Sequence, residues 1–112
     1  MASNKAYYVY IITNFQKTIL YTGVTNNLEQ RIIEHYLGKG NTISFTGSYP
    51  AFYLLYKCSP YILNSIAREK EIKGWKRSKK EKLIKEFNPA MKFLNEELFG
   101  QWPPKEQFDK RK

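Results

Sequence analysis

The chain has one cysteine and one histidine in 112 residues. A lone cysteine cannot form an internal disulfide, and one Cys with one His cannot supply a structural zinc site. Cys58 lies inside an apolar run and reads as a plain core residue. No run of about 18 apolar residues occurs, so no helix is expected to span a bilayer. The opening Met-Ala-Ser-Asn-Lys lacks the basic, apolar and small-residue regions of a secretory signal and leads directly into a strand-like run. The protein is therefore expected in the cytoplasm. Length excludes a second independent core. No internal repeat or low-complexity segment is seen.

Acidic residues are also scarce. Ten Asp and Glu stand against 19 Lys and Arg, a formal charge of +9. The excess is uneven: residues 1–56 carry four basic and two acidic side chains, and the remaining 56 carry fifteen and eight. From Arg68 to Lys85 nine basic residues accompany three acidic ones. Such a stripe suits a polyanion, nucleic acid first, or else a solvated helix face that maintains solubility. Aromatics reach 16%, and nine of them are Tyr.

Tyr7-Tyr8-Val9-Tyr10-Ile11-Ile12 is β-branched and aromatic and predicts a strand, and Ile19–Val24 predicts a second. The six intervening residues, with Asn14 and Lys17, suit an antiparallel hairpin. Asn27 with Gln30 resembles a capping box for a helix from Leu28 to Leu37 that ends at Gly38. Gly40–Ser48 is a polar loop, and Ala51–Lys57 a third strand between Pro50 and Ser59-Pro60. Apolar Ile62, Leu63, Ile66 and Ile72 predict a helix over Tyr61–Trp75. Ser78 with Glu81 predicts a capped helix whose Leu83, Ile84 and Phe87 share one face, ended by Asn88-Pro89. Met91–Phe99 suggests another short helix. The order ββαβαα implies an α+β fold, a three-stranded antiparallel sheet flanked by helices. Residues 1–99 form the single domain, and 100–112 form a flexible tail.

Several polar groups fall where an apolar stripe belongs. Side chains alternate on strands, so Tyr10 and Tyr21 can share one sheet face beside Gly23, which leaves room. Two amphipathic core aromatics would read the same way. On the first helix, Arg31 and His35 are spaced i,i+4 along one edge of the Leu28-Ile32-Tyr36 stripe. The pair could grip a phosphate, or could be a snorkelling Arg beside a surface His. On the second helix, a wheel of about 100° per residue places Glu69 between Ile62, Ile66 and Ile72, with Glu71 opposite. An inward carboxylate is costly unless it pairs with a cation or holds a hard metal.

These residues, in this order, resemble the GIY-YIG nuclease superfamily. Tyr8-Val9-Tyr10, then Tyr21-Thr22-Gly23, then Arg31 and His35 look like its signature. Ala67-Arg68-Glu69-Lys70-Glu71-Ile72-Lys73-Gly74-Trp75 looks like the metal-binding helix of its small stand-alone bacterial type, which is similar to the N-terminal nuclease domain of the repair protein UvrC. The resemblance covers Tyr7 to Pro89. It implies a divalent-metal-dependent endonuclease acting on DNA in repair or processing, using a single Mg²⁺ or Mn²⁺. Tyr10, Tyr21, Arg31, His35 and Glu69 fall on its catalytic positions, with Glu69 on the metal ligand. Asn88 stands near a supporting Asn of many superfamily members. Tyr8 and Val9 replace the Gly and Ile of the name motif, and the 41–49 loop lacks the lysines of similar proteins. Gly23, Lys70, Lys73, Lys76, Arg77, Lys79 and Lys80 are the expected nucleic-acid contacts, on DNA or RNA. No membrane partner is expected, and in so small a chain specificity should be low unless a protein partner supplies it. The rival reading is a non-catalytic nucleic-acid-binding module on the same fold. A third is a protein-interaction domain using Trp75, Trp102 and the Pro-rich tail.

Overall fold

A computed structural model describes residues 7–37, 51–59 and 62–103, without the side chains of Ile62 and Leu63. β1 (Tyr8–Thr13) and β2 (Leu20–Thr25) form the expected hairpin. Asn14 organises its turn, Oδ1 accepting from the amides of Thr18 (2.8 Å) and Ile19 (3.1 Å). Helix α1 (Leu28–Tyr36) follows, with the Asn27 side chain capping the Gln30 amide at 3.1 Å. The Gln30 side chain does not complete the box. It reaches along the helix to Glu34 instead. β3 (Tyr53–Cys58) pairs with β1, giving the antiparallel order β2-β1-β3. Helices α2 (Ile62–Lys73), α3 (Arg77–Phe87) and the short α4 (Asn95–Phe99) complete an α+β fold with helices on both faces of a three-stranded antiparallel sheet.

Strand alternation divides the core in two. Val9 and Ile11 face Ile72 of α2 and Leu83 and Ile84 of α3. Tyr10 and Ile12 face Leu28 and Ile32 of α1, with Leu98 and Phe99 of α4 nearby. Both central-strand faces are thus covered, which explains an apolar run without polar alternation. The β3 edge is closed by two asparagines. Asn95 accepts from the Leu54 amide (2.7 Å) and donates to the Phe52 carbonyl (2.9 Å). Asn88 donates to the carbonyls of Leu55 (3.1 Å) and Lys92 (2.9 Å). These satisfy buried edge groups that would otherwise lack partners.

Several expectations change, and the expected Met91–Phe99 helix is confined to Asn95–Phe99. Ile66 is 44% exposed, because the buried face of α2 centres on Ser65, Glu69 and Ile72. Helix α3 starts one residue before Ser78, at Arg77, without a side-chain cap. Glu81 pairs instead with Arg77 at 2.7 Å. Phe87 is 70% exposed, its ring meeting Tyr56 with centroids 5.6 Å apart. Trp102, assigned to the tail, packs with its ring against Tyr36, Phe52 and Phe99. The strands shift by one or two residues, β3 beginning at Tyr53 because Phe52 turns its carbonyl to Asn95. The expected end of the first helix at Gly38, the 41–49 loop, and tail residues 104–112 lie outside the described residues.

Candidate active site

Tyr10 stands at the centre of the arrangement. It is 2% exposed and sits directly across from Gly23 in the β1–β2 register. Its phenol lies over that glycine so closely that a Cβ there would come 2.5 Å from Tyr10 Oη and 2.6 Å from Cζ. Gly23 therefore serves as the floor beneath the Tyr10 ring. The ring of Tyr21, two residues earlier on β2, has its centroid 6.5 Å from that of Tyr10.

Helix α1 supplies the next groups. His35 is buried among the inward residues Leu28, Ile32 and Ile33 and directs Nε2 to Tyr10 Oη at 3.1 Å. Its ring also stands edge-on to Tyr21, with centroids 5.5 Å apart. Burial, then the charge of Arg31, lowers the His35 pKa to about 4 against the opposing effect of Glu34. The imidazole is consequently neutral at pH 7. Arg31 and His35 thus do not form a two-pronged surface grip. The histidine turns inward to the phenol, while Arg31 stays partly exposed and pairs with Glu34 at 3.3 Å.

The Tyr10 phenol is pushed well above the usual tyrosine range, first by burial and then by Tyr21. Arg31 works against this, and Glu69 and Glu34 add to it. The expectation that Arg31 would help Tyr10 ionise meets a larger desolvation cost. At rest Tyr10 is a neutral phenol.

Glu69 is 8% exposed and Oε2 accepts from Lys73 Nζ at 2.9 Å. The Lys73 pKa is raised, most by this bond. Lys80 of α3 is lowered by burial and then by the charge of Lys73. Glu71 is exposed and binds Arg68 at 3.0 Å, on the opposite side as the wheel predicts. Among the described residues no three His, Cys, Asp or Glu side chains cluster as metal ligands. A single buried carboxylate beside a cluster of cations fits a divalent ion only if water and phosphate complete its shell.

The basic residues separate into two kinds. Arg77 donates to Glu81, to the Thr18 carbonyl at 2.8 Å and to the Lys17 carbonyl, fastening α3 to the hairpin turn. Lys70, Lys76 and Lys79 are exposed, Lys79 with Nζ 4.5 Å from the Trp75 ring centroid. Asn88 is engaged at the β3 edge rather than beside Tyr10. Asn95, which does the same work, was missed, since its partners stand more than 40 residues away. The Lys73–Glu69 pair, at i,i+4, was findable from spacing alone. An open cleft of about 480 Å³, lined by Tyr56, Phe87, Asn88 and Lys92 among others, does not include Tyr10.

The sequence profile of the GIY-YIG catalytic domain matches residues 6–82. A UPF0213 protein of Haloquadratum walsbyi is 35% identical over 83 residues, covering 74% of this chain and 91% of the relative. A UPF0213 protein of Staphylococcus haemolyticus is 36% identical over 80 residues, 71% of this chain and 95% of that one. The solution NMR structure of a UPF0213 protein from Bacillus halodurans is 31% identical, with a TM-score of 0.47, and covers 74% of this chain and 86% of its own.

Proposed function

The chain belongs to the GIY-YIG family of catalytic domains, and from that premise we propose that it is a divalent-metal-dependent endonuclease hydrolysing DNA phosphodiester bonds, in repair or processing of DNA in the cytoplasm. The observation that carries this reading is the buried Tyr10–His35 hydrogen bond, 3.1 Å long, held over Gly23. A buried phenol needs a hydrogen-bond partner in any case, and a neutral imidazole is a partner that can also take its proton.

The proposed step follows from the two protonation states. A water oxygen attacks phosphorus while its proton passes to Tyr10 Oη, and the Tyr10 proton passes to His35 Nε2. The 3′ oxygen leaves with the bonding pair. Both residues start neutral; burial and Arg31 oppose the imidazolium that the step forms, and the negative charge of the arriving phosphate would offset that cost. Tyr21 orients the water, and Arg31 holds a non-bridging phosphate oxygen. Glu69 would hold the divalent ion, Mg²⁺ or Mn²⁺, which when bound stabilises negative charge on the leaving oxygen. The exposed lysines of α2 and α3 bind flanking phosphates with little sequence preference.

The test is nicking of supercoiled plasmid by the purified protein with Mg²⁺, Mn²⁺ or EDTA, with RNA assayed alongside. Metal-dependent nicking abolished by EDTA is expected. Retained nucleic-acid binding without cleavage of DNA or RNA under any metal would replace the enzyme by the binding module.

A further inference from the structure

The partner of Glu69 carries a consequence that rests on the metal reading and extends it. The Glu69 carboxylate is one of the few buried charges in the described residues, and its side chain is only 11% exposed. Lys73, one turn along α2, closes over it with Nζ at 2.9 Å, while its own side chain is 54% exposed. One end of this ion pair is thus fixed in the protein and the other is free to swing into solvent on a four-carbon stem.

We propose that Lys73 is a positioning residue that occupies the cation place on Glu69 in the free protein, and that a divalent ion and a phosphate backbone displace it together. Two cations cannot share one carboxylate edge in a desolvated setting without strong repulsion. A divalent ion therefore binds the free protein weakly while Lys73 stays on Glu69. Arriving phosphate offers Lys73 a new anion and leaves the carboxylate open. Metal and nucleic acid consequently bind with positive coupling, and by linkage each raises the affinity of the other by the same factor. The arrangement keeps the buried carboxylate paired at every stage. It also confines a loaded metal site to the complex with substrate.

Mn²⁺ binding, followed by electron paramagnetic resonance without nucleic acid, tests this on the parent, Lys73→Gln, Lys73→Arg and Glu69→Gln. Lys73→Gln keeps a hydrogen-bond donor but removes the charge, and should bind Mn²⁺ at least about fivefold more tightly than the parent. Lys73→Arg should stay as weak as the parent. Loss of a merely structural contact would weaken binding, never strengthen it. Melting curves on all four proteins verify folding. An Mn²⁺ affinity of Lys73→Gln no greater than that of the parent, with Glu69→Gln weaker than both, overturns the displacement while sparing Glu69 as ligand. Equal Mn²⁺ affinity of Glu69→Gln and parent removes the metal reading itself, and the displacement with it.

Discussion

Gly23→Ala is the smallest change the geometry marks as severe. The added Cβ would lie 2.5 Å from Tyr10 Oη and 2.6 Å from Cζ, where ordinary contact begins near 3.4 Å. The phenol must retreat by roughly 1 Å, or β1 and β2 must separate at the Tyr10–Gly23 pair. Retreat is opposed by the surrounding core, since Tyr10 is 2% exposed and tied to His35. Overpacking of this kind costs about 1–3 kcal/mol. A misplacement of about 1 Å in a reacting group lowers the rate by about 10²-fold. Urea denaturation should therefore show a loss within that range, while plasmid nicking by the remaining folded protein falls much further than the loss of folded fraction explains. Affinity for DNA without metal should change little, because the exposed lysines are untouched. Parent-like stability and nicking in Gly23→Ala would refute the placement of Tyr10 over the glycine.

Further outcomes follow from individual groups. His35 has a folded pKa of about 4 against an ordinary 6.5, so below pH 6.5 the unfolded chain binds a proton that the folded one refuses. Its contribution is fully present above pH 6.5 and is lost as pH falls to about 4, by at most about 3 kcal/mol. The difference in melting temperature between the parent and His35→Gln should therefore change across pH 4–6.5 and be constant above it. Asn95→Ala should destabilise by about 2 kcal/mol or more in urea denaturation, because the buried Leu54 amide and Phe52 carbonyl lose their partner. Arg77→Ala should lower the melting temperature through lost contacts to Glu81 and the hairpin carbonyls. Exposed Lys70→Ala should instead leave melting unchanged and reduce the salt slope of DNA binding by about one.

Much of this was legible because local chemistry and tertiary environment agree. The β-branched, aromatic run over Tyr8–Ile12 and the Asn27 cap both act over a few residues, and both hold. The wheel separated Glu69 from Glu71, since one helix face suffices to do so. It misjudged Ile66, because the true stripe is centred on a serine that hydropathy does not mark as inward. Ser78 failed as a cap for a related reason. A Ser-x-x-Glu pattern fits a helix interior equally well once Arg77 has partners in the hairpin turn. The inward turn of His35 depends on a phenol 25 residues earlier, and the edge closure by Asn95 on a strand 41 residues earlier. No local pattern specifies either contact. Only packing of α1 and α4 on the same sheet face brings them about.

The role of Glu69 separates an enzyme from a binder most directly. Glu69→Gln keeps size and helix propensity but removes the charge that would hold a divalent ion. Glu71→Gln, on the exposed side of α2, is the matched control. Single-turnover plasmid cleavage in Mg²⁺ should fall by orders of magnitude for Glu69→Gln and change little for Glu71→Gln. DNA affinity without metal should persist or rise for the first, since one negative charge near the phosphate is gone. Melting curves on both variants separate this from the unfolding that loss of the Lys73 pair could cause. Cleavage by folded Glu69→Gln at the parent's rate would contradict the account.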